Sequence, residues 1–266
     1  MSTNGSMAMP ALTLRRYGTP GGTPLLLLHG LFGSSRNWHS IARRLAQRRS
    51  VLVPDLRNHG DSPHDPVMSY AAMVDDLTTL LEREAIEQVV VVGHSMGGKA
   101  AMWLALNHPK RIAALCAVDI APVIYASGFE TLIDALLALP VDTVTSRADA
   151  DRRLATAIPS PAIRGYVLQN LRRDGNAWGW RVNLSGIATA LPEIRGFPEP
   201  GGRQFTGPAL FLYGTKSDYV DARAFTAIRE LFPLARLRAV ANAGHWVYAD
   251  QPDAFTGALE GFLDRL

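Results

Sequence analysis

Val89-Val90-Val91-Val92-Gly93-His94-Ser95-Met96-Gly97-Gly98 is the stretch that decides how this chain folds. A run of β-branched valines reads as a strand buried on both faces. A helical pattern over residues 99–107 follows directly. Between them Gly93-x-Ser95-x-Gly97 matches the G-x-S-x-G pattern of a serine raised on a sharp strand-to-helix turn. Such a serine has strained backbone angles. A side chain two positions before or after it would strike the neighbouring backbone, so both positions call for glycine. The serine Oγ is then exposed at the carboxyl end of a strand and the N-terminus of a helix. Free N–H groups there can stabilise an oxyanion.

The flanking chain gives this turn a setting. Upstream, residues 11–16 read as a strand, 18–22 as a turn and 24–30 as a short apolar strand ending at glycine. Leu31-Phe32-Gly33-Ser34-Ser35 is a loop in which Ser34 or Ser35 caps a helix over 37–47. Residues 51–55 form a third strand leading into the polar loop 56–62. Ser69 opens a helix to about Glu84, with Met73, Leu77, Leu80 and Leu81 at helical spacing. Downstream, residues 112–120 are another apolar strand. Apolar strands alternating with helices predict an α/β fold, a mostly parallel central sheet with helices on both faces.

After Pro122 the rhythm breaks. Residues 129–139, 147–158, 161–172 and 184–194 carry helical patterns, and no strand is expected among them. The sheet resumes at 209–214, followed by a helix over 222–231, a strand over 237–241 and a last helix over 252–266. The expected organisation is a disordered leader over 1–10, an α/β core over 11–122 and 205–266, and a helical cap over 123–204. An insertion there emerges above the carboxyl edge of the sheet, where such folds bind ligands.

Composition narrows the partners. A chain of 266 residues, 47% hydrophobic, suits one α/β unit with a sizeable core. Its net charge of +3 comes from scattered arginines, with no long basic run, so no nucleic-acid partner is expected. Cys116 is the only cysteine, which excludes an intramolecular disulfide and a Cys-based metal site. It lies in the apolar run 113–118 and is expected as a buried, inert thiol. Residues 1–10 lack signal-peptide character, and no apolar run would span a bilayer. The expectation is a cytoplasmic monomer or homodimer with no membrane partner.

A serine hydroxyl is a poor nucleophile until a base takes its proton. His245 follows the last predicted strand, in Asn242-Ala243-Gly244-His245-Trp246, and completes the chain order Ser, Asp, His. The other histidines fit worse: His29 braces a loop, His94 points away from Ser95, and His59 and His64 sit on the third strand's loop. The carboxylate that orients the base is Asp119 or Asp218, each after a strand on the correct edge. Asp119 is favoured because it has no structural task in an apolar strand end, where an unpaired carboxylate is costly. The oxyanion donors are the N–H of Met96 and that of Leu31 or Phe32. Trp246, Phe129 and Glu130 are expected to line the acyl or alcohol site.

With these pieces in place the chain resembles the α/β-hydrolase superfamily over nearly its whole length. The matching motifs are His29-Gly30-Leu31-Phe32-Gly33, residues 55–62, Gly93 to Ala100, Val118-Asp119-Ile120-Ala121-Pro122 and Gly244-His245-Trp246-Val247. Together they are similar to the small bacterial carboxylesterases of the ybfF type, close to the mitochondrial abhydrolase-11 group. Gly98-Lys99-Ala100, Asp119-Ile120-Ala121-Pro122 and His245-Trp246-Val247 are narrower than the superfamily pattern. The resemblance implies hydrolysis of a small-molecule acyl ester without metal or organic cofactor. It also implies Asp119 as the acid, which in ybfF-type esterases follows the strand after the serine turn. In many α/β-hydrolases the acid instead stands three residues after the glycine corresponding to Gly214. Ser217 occupies that position here, with Asp218 beside it. The cap matches least, so substrate range transfers least. Perhydrolase, thioesterase and carbon–carbon bond hydrolase chemistries share the same triad and stay open. A dehalogenase needs a carboxylate where Ser95 stands. A non-catalytic ligand-binding member has no need of Ser95, His245 and an acid together.

Overall fold

The computed structural model describes residues 11–266 apart from Pro20, Ser127 and Asn176, so the leader expected over 1–10 lies outside the described residues. The strands are β1 (Leu14–Tyr17), β2 (Leu25–Leu28), β3 (Val51–Pro54), β4 (Val89–His94), β5 (Ile112–Val118), β6 (Leu171–Asp174), β7 (Ala177–Trp180), β8 (Ala209–Gly214) and β9 (Ala235–Val240). The α-helices are α1 (His39–Leu45), α2 (Tyr70–Arg83), α3 (Met96–Asn107), α4 (Glu130–Ala138), α5 (Arg147–Leu154), α6 (Pro161–Val167), α7 (Leu184–Arg195), α8 (Ala222–Leu231), α9 (Val247–Asp250) and α10 (Pro252–Leu263).

Seven strands make the central sheet in the order β1-β3-β2-β4-β5-β8-β9. β1 runs antiparallel to β3, and the other pairs are parallel. The valine run sits at its centre, paired to β2 on one side and β5 on the other. Its side chains alternate as a strand requires. Val89 and Val91 join the larger core with α2 and α3, while Val90 and Val92 join a second core with α1 and α10. β2 does the same, Leu26 and Leu28 facing one layer and Leu25 and Leu27 the other. Continuous apolar strands are thus explained by two apolar layers. Each side chain buried this way stabilises the fold by about 1.5–3 kcal/mol relative to exposure.

The helix over 37–47 begins earlier than expected, as a 3-10 turn over Ser35–Trp38 that passes into α1. Ser69 caps α2 as expected, its Oγ accepting the Ala72 N–H at 3.1 Å. The segment between β5 and β8 carries α4, α5, α6 and α7. The expectation that it holds no strand is corrected. β6 and β7 form an antiparallel hairpin, with Leu171 opposite Trp180 and Asp174 opposite Ala177. The helix expected over 161–172 ends at Val167, and a 3-10 turn over Leu168–Asn170 leads into β6. Asp174-Gly175-Asn176 between two aromatic- or leucine-bearing runs is a hairpin signal, and Gly175 takes φ +58°. Among the described residues, no helix is long and apolar enough to cross a membrane.

Candidate active site

The sheet delivers Ser95 and Asp119 to the same edge. His94 is in register with Val118, and Val118 with Leu212, so the residues after β4, β5 and β8 emerge together. Ser95 holds φ 52° and ψ −120°, outside the ordinary regions for a residue with a side chain. Its N–H donates to Val118 O at 3.1 Å, and α3 starts at Met96. The two flanking glycines are required by space. A Cβ on Gly93 would stand 2.1 Å from Gly97 O, and one on Gly97 would stand 2.5 Å from His29 O.

Asp119 is fully buried and also has a positive φ, 51°. Its Oδ1 accepts the Gly214 N–H at 3.0 Å. Its Oδ2 accepts the Ser217 hydroxyl and the His245 Nδ1–H, the latter at 2.7 Å. Those donors fix the carboxylate plane and place the His245 proton on Nδ1, which leaves Nε2 as the basic nitrogen. Asp218 is exposed at the rim of the cavity and makes no hydrogen bond to His245. Ser217, the residue that displaces it, instead supports Asp119.

Ser95 and His245 open into one cavity of about 660 Å³, within the range that holds a small organic ligand. Leu31, Phe32, Phe129 and Trp246 are in its wall. Glu130 is not among the lining residues. Its carboxylate accepts the Gly128 N–H at 2.9 Å and pairs with Arg195 at 3.0 Å, which draws it away from the site. Phe32 also borders a second cavity of about 720 Å³, whose walls carry Arg36, Arg147, Arg152 and Arg181 but neither Ser95 nor His245.

The loop opposite Ser95 separates the two amides left open by the sequence. The Phe32 N–H donates to His59 Nε2 at 3.1 Å. The N–H groups of Leu31 and Met96 have no partner among the described residues. His59 in turn donates its Nδ1–H to Arg57 O at 2.9 Å. It must stay neutral to accept, and burial lowers its pKa to about 3. His29 follows the same logic, accepting the Leu56 N–H at 3.0 Å with its pKa lowered by burial. The inserted segment holds the loop's carbonyls. Tyr166 Oη–H donates to Leu31 O at 2.9 Å, and Asn170 Nδ2 to Phe32 O at 2.7 Å. Two further contacts fix the His245 ring and backbone. Tyr219 stacks on the His245 ring with centroids 3.9 Å apart. His94 Nε2–H donates to His245 O at 2.9 Å, and burial pushes the His94 pKa well below the usual imidazole range. Tyr219, Tyr166 and Asn170 lie far from Ser95 in sequence and belong to none of the matching motifs. Only His59, in a loop at the correct sheet edge, carried a signal. Among the described residues, no group of three or more His, Cys, Asp or Glu side chains could hold a metal ion.

A buried acid oriented on a histidine, beside a strained serine at the carboxyl edge of a parallel sheet, is the layout of an α/β-hydrolase. The chain belongs to that family: the profile of the alpha/beta hydrolase fold matches residues 23–252. It is 42% identical over 249 residues to the sn-1-specific diacylglycerol lipase ABHD11 of Danio rerio, covering 91% of this chain and 78% of that one. It is 36% identical over 243 residues to esterase YbfF of Escherichia coli strain K12, covering 91% of this chain and 93% of that one. A solved marine microorganism esterase superposes with TM-score 0.91 at 35% identity, over 95% of this chain and 99% of that one. The resemblance to the ybfF-type and abhydrolase-11 groups, drawn from the motifs, therefore holds.

Proposed function

We propose that this chain is a serine carboxylesterase that cleaves small to medium acyl esters through an acyl-enzyme on Ser95. The observation that carries the reading is the 2.7 Å bond from His245 Nδ1 to the buried Asp119, at the cavity that Ser95 also enters. The esterase and lipase relatives support the same reaction class.

His245 Nε2 takes the Ser95 hydroxyl proton as Oγ attacks the ester carbonyl. The carbonyl π electrons move onto oxygen, and the N–H groups of Met96 and Leu31 receive that charge. Such a donor is typically worth about 2.7–4 kcal/mol in the transition state. When the tetrahedral intermediate collapses, the carbon–oxygen bond to the alcohol breaks, and His245 Nε2–H protonates the departing oxygen. Water then gives a proton to Nε2 and attacks the acyl-enzyme; as the bond to Oγ breaks, Nε2–H returns that proton to Ser95, and the carboxylic acid leaves. Asp119 keeps the imidazole in one tautomer and supports its charged form in both halves. Residues 123–204 act as the cap, and Phe129 and Trp246 are assigned to the substrate wall.

A fluorophosphonate probe tests the nucleophile. Folded wild-type protein should be labelled and Ser95→Ala should not. Unlabelled wild type would refute the reading. A series of p-nitrophenyl esters from acetate to decanoate, with a diacylglycerol as a further arm, then places the substrate range.

A further inference from the structure

Lys99, in the motif Gly98-Lys99-Ala100, has no part in the chemistry above. Lysine is seldom fully buried, and in the first turn of a helix it faces the positive end of the helix dipole. Lys99 is only 1% exposed, in the first turn of α3. Among the described residues no carboxylate pairs with it. Its Nζ donates instead to three main-chain carbonyls: Val123 at 2.8 Å, Arg195 at 2.7 Å and Gly196 at 2.6 Å. These use all three ammonium protons. The cation also lies over the Tyr125 ring, 4.6 Å from its centroid.

Those carbonyls mark the two ends of the inserted segment. Val123 is at its entry, directly after Pro122, and Arg195 and Gly196 close α7 at its exit. The ends are also tied to each other by the Tyr125 N–H donating to Arg195 O at 3.0 Å. On the core side, the Lys99 N–H donates to Ser95 O at 3.0 Å, so clamp and nucleophile share one helical turn. Tyr125 Oη–H donates to Tyr219 O at 2.8 Å, and Tyr219 stacks on His245. One side chain is therefore connected to Ser95 through the backbone and to His245 through two tyrosines.

We propose that Lys99 is a positioning residue whose ammonium clamps both ends of the cap to the helix that carries Ser95, and so sets the acyl-contacting wall relative to the nucleophile. The inference rests on the esterase reading with residues 123–204 as its cap.

The clamp depends on protonation. A neutral amine has two protons and a lone pair, so one of the three carbonyls would lose its donor. Burial lowers the Lys99 pKa to about 7. The carbonyls and the Tyr125 face pull the other way. The clamp loosens where rising pH removes the third proton. Burial raises the pKa values of Tyr70, Tyr125 and Tyr219, keeping them neutral. The Arg195 guanidinium pairs with Glu130, and α3 carries no other charged side chain. Asp119 and His245 lie beyond Tyr219. Because His245 changes protonation during turnover, the clamp is read first without turnover.

Amide hydrogen exchange on the full-length protein makes that reading. With times scaled for intrinsic chemistry, peptides covering 123–126 and 194–197 should lose protection about tenfold between about pH 6.5 and about pH 9, while α10 stays unchanged. Lys99→Met should show the low protection at both pH values and still label with fluorophosphonate. Its KM for p-nitrophenyl hexanoate should rise about tenfold, that for acetate less than about threefold, with kcat little changed. Lys99→Gln, with two amide protons, should fall between. Protection of 123–126 and 194–197 in Lys99→Met equal to that of the wild type would overturn the proposal, as would an equal kcat loss on both esters with no change in KM. If Lys99→Met does not fold, the same exchange and KM readings on Lys99→Gln decide. The exchange pattern without any ester hydrolysis would leave the clamp standing and remove the esterase reading.

Discussion

The ring of Tyr219 lies against the imidazole of His245, with centroids 3.9 Å and planes 21° apart. Asp119 fixes that imidazole in its own plane, and Tyr219 fixes it along the normal. The contact uses the face of the phenol. Tyr219→Phe should therefore keep kcat within about threefold, whereas Tyr219→Ala should lower it about tenfold with a smaller change in KM. Steady-state kinetics on one ester decides. Equal losses in the two variants would move the role to the hydroxyl.

The two aspartates separate by mutation. Asp119→Asn presents an amide to His245 Nδ1 and favours the wrong tautomer, which in serine hydrolases costs on the order of 10⁴-fold in kcat. Asp218→Asn, at the exposed rim, should stay within about threefold. A large loss in Asp218→Asn with a mild one in Asp119→Asn would reverse the assignment.

The inserted segment holds the loop one peptide plane beyond the Leu31 N–H. Tyr166 Oη–H donates to Leu31 O at 2.9 Å; that carbonyl shares its peptide plane with the Phe32 N–H, and the fixed plane restrains the Leu31 N–H across the Leu31 Cα. Tyr166→Phe keeps the ring against Trp246 but frees that carbonyl. The expected result is a drop in kcat of roughly tenfold with KM nearly unchanged, the pattern of a donor used only in the transition state. A change confined to KM would instead assign Tyr166 to substrate contact.

Acid should unfold the protein through its buried imidazoles. His29, His59 and His94 all have lowered pKa values in the fold, with burial the leading cause. Below the ordinary imidazole pKa of about 6.5 the unfolded chain binds protons that the folded chain refuses, so stability falls as pH falls. For His59 the window runs from about 6.5 down to about 3. At about pH 5 His59 should contribute an uptake of about one proton on unfolding, which His59→Gln should remove, and His29 and His94 add uptake in the same direction. Urea midpoints measured across the window check this. An unchanged slope in His59→Gln would show that His59 is already protonated in the fold.

The legible parts of this molecule were those in which neighbours in sequence are neighbours in space. Val89 to Gly98 specifies strand, turn and helix locally, and the alternation of its valines between two cores follows from strand geometry. His245 was accessible because a base must lie on the same sheet edge. Asp119 is favoured over Asp218 already in the sequence, whereas the Gly214 N–H and Ser217 hydroxyl that hold its carboxylate come from the next strand's loop and are not legible there. The choice between Leu31 and Phe32 needed His59, 27 residues away. Phe129 was expected at the cavity and stands in its wall, while its neighbour Glu130 was drawn off by Arg195, a residue at the far end of the same insertion. The β6–β7 hairpin was legible in Asp174-Gly175 but was masked by the helical pattern that runs up to it.

Cys116 lies in β5 at the middle of the sheet, with no accessible surface, and burial raises its thiol pKa. Thiol reagents act on accessible thiolates, so the native protein should be silent to maleimides while it is folded. A single cysteine introduced on the outer side of α4, as in Leu137→Cys, would then be the sole reactive handle. One fluorophore or spin label could be attached there without a cysteine-free background, and the movement of the segment above Ser95 could be followed directly in solution.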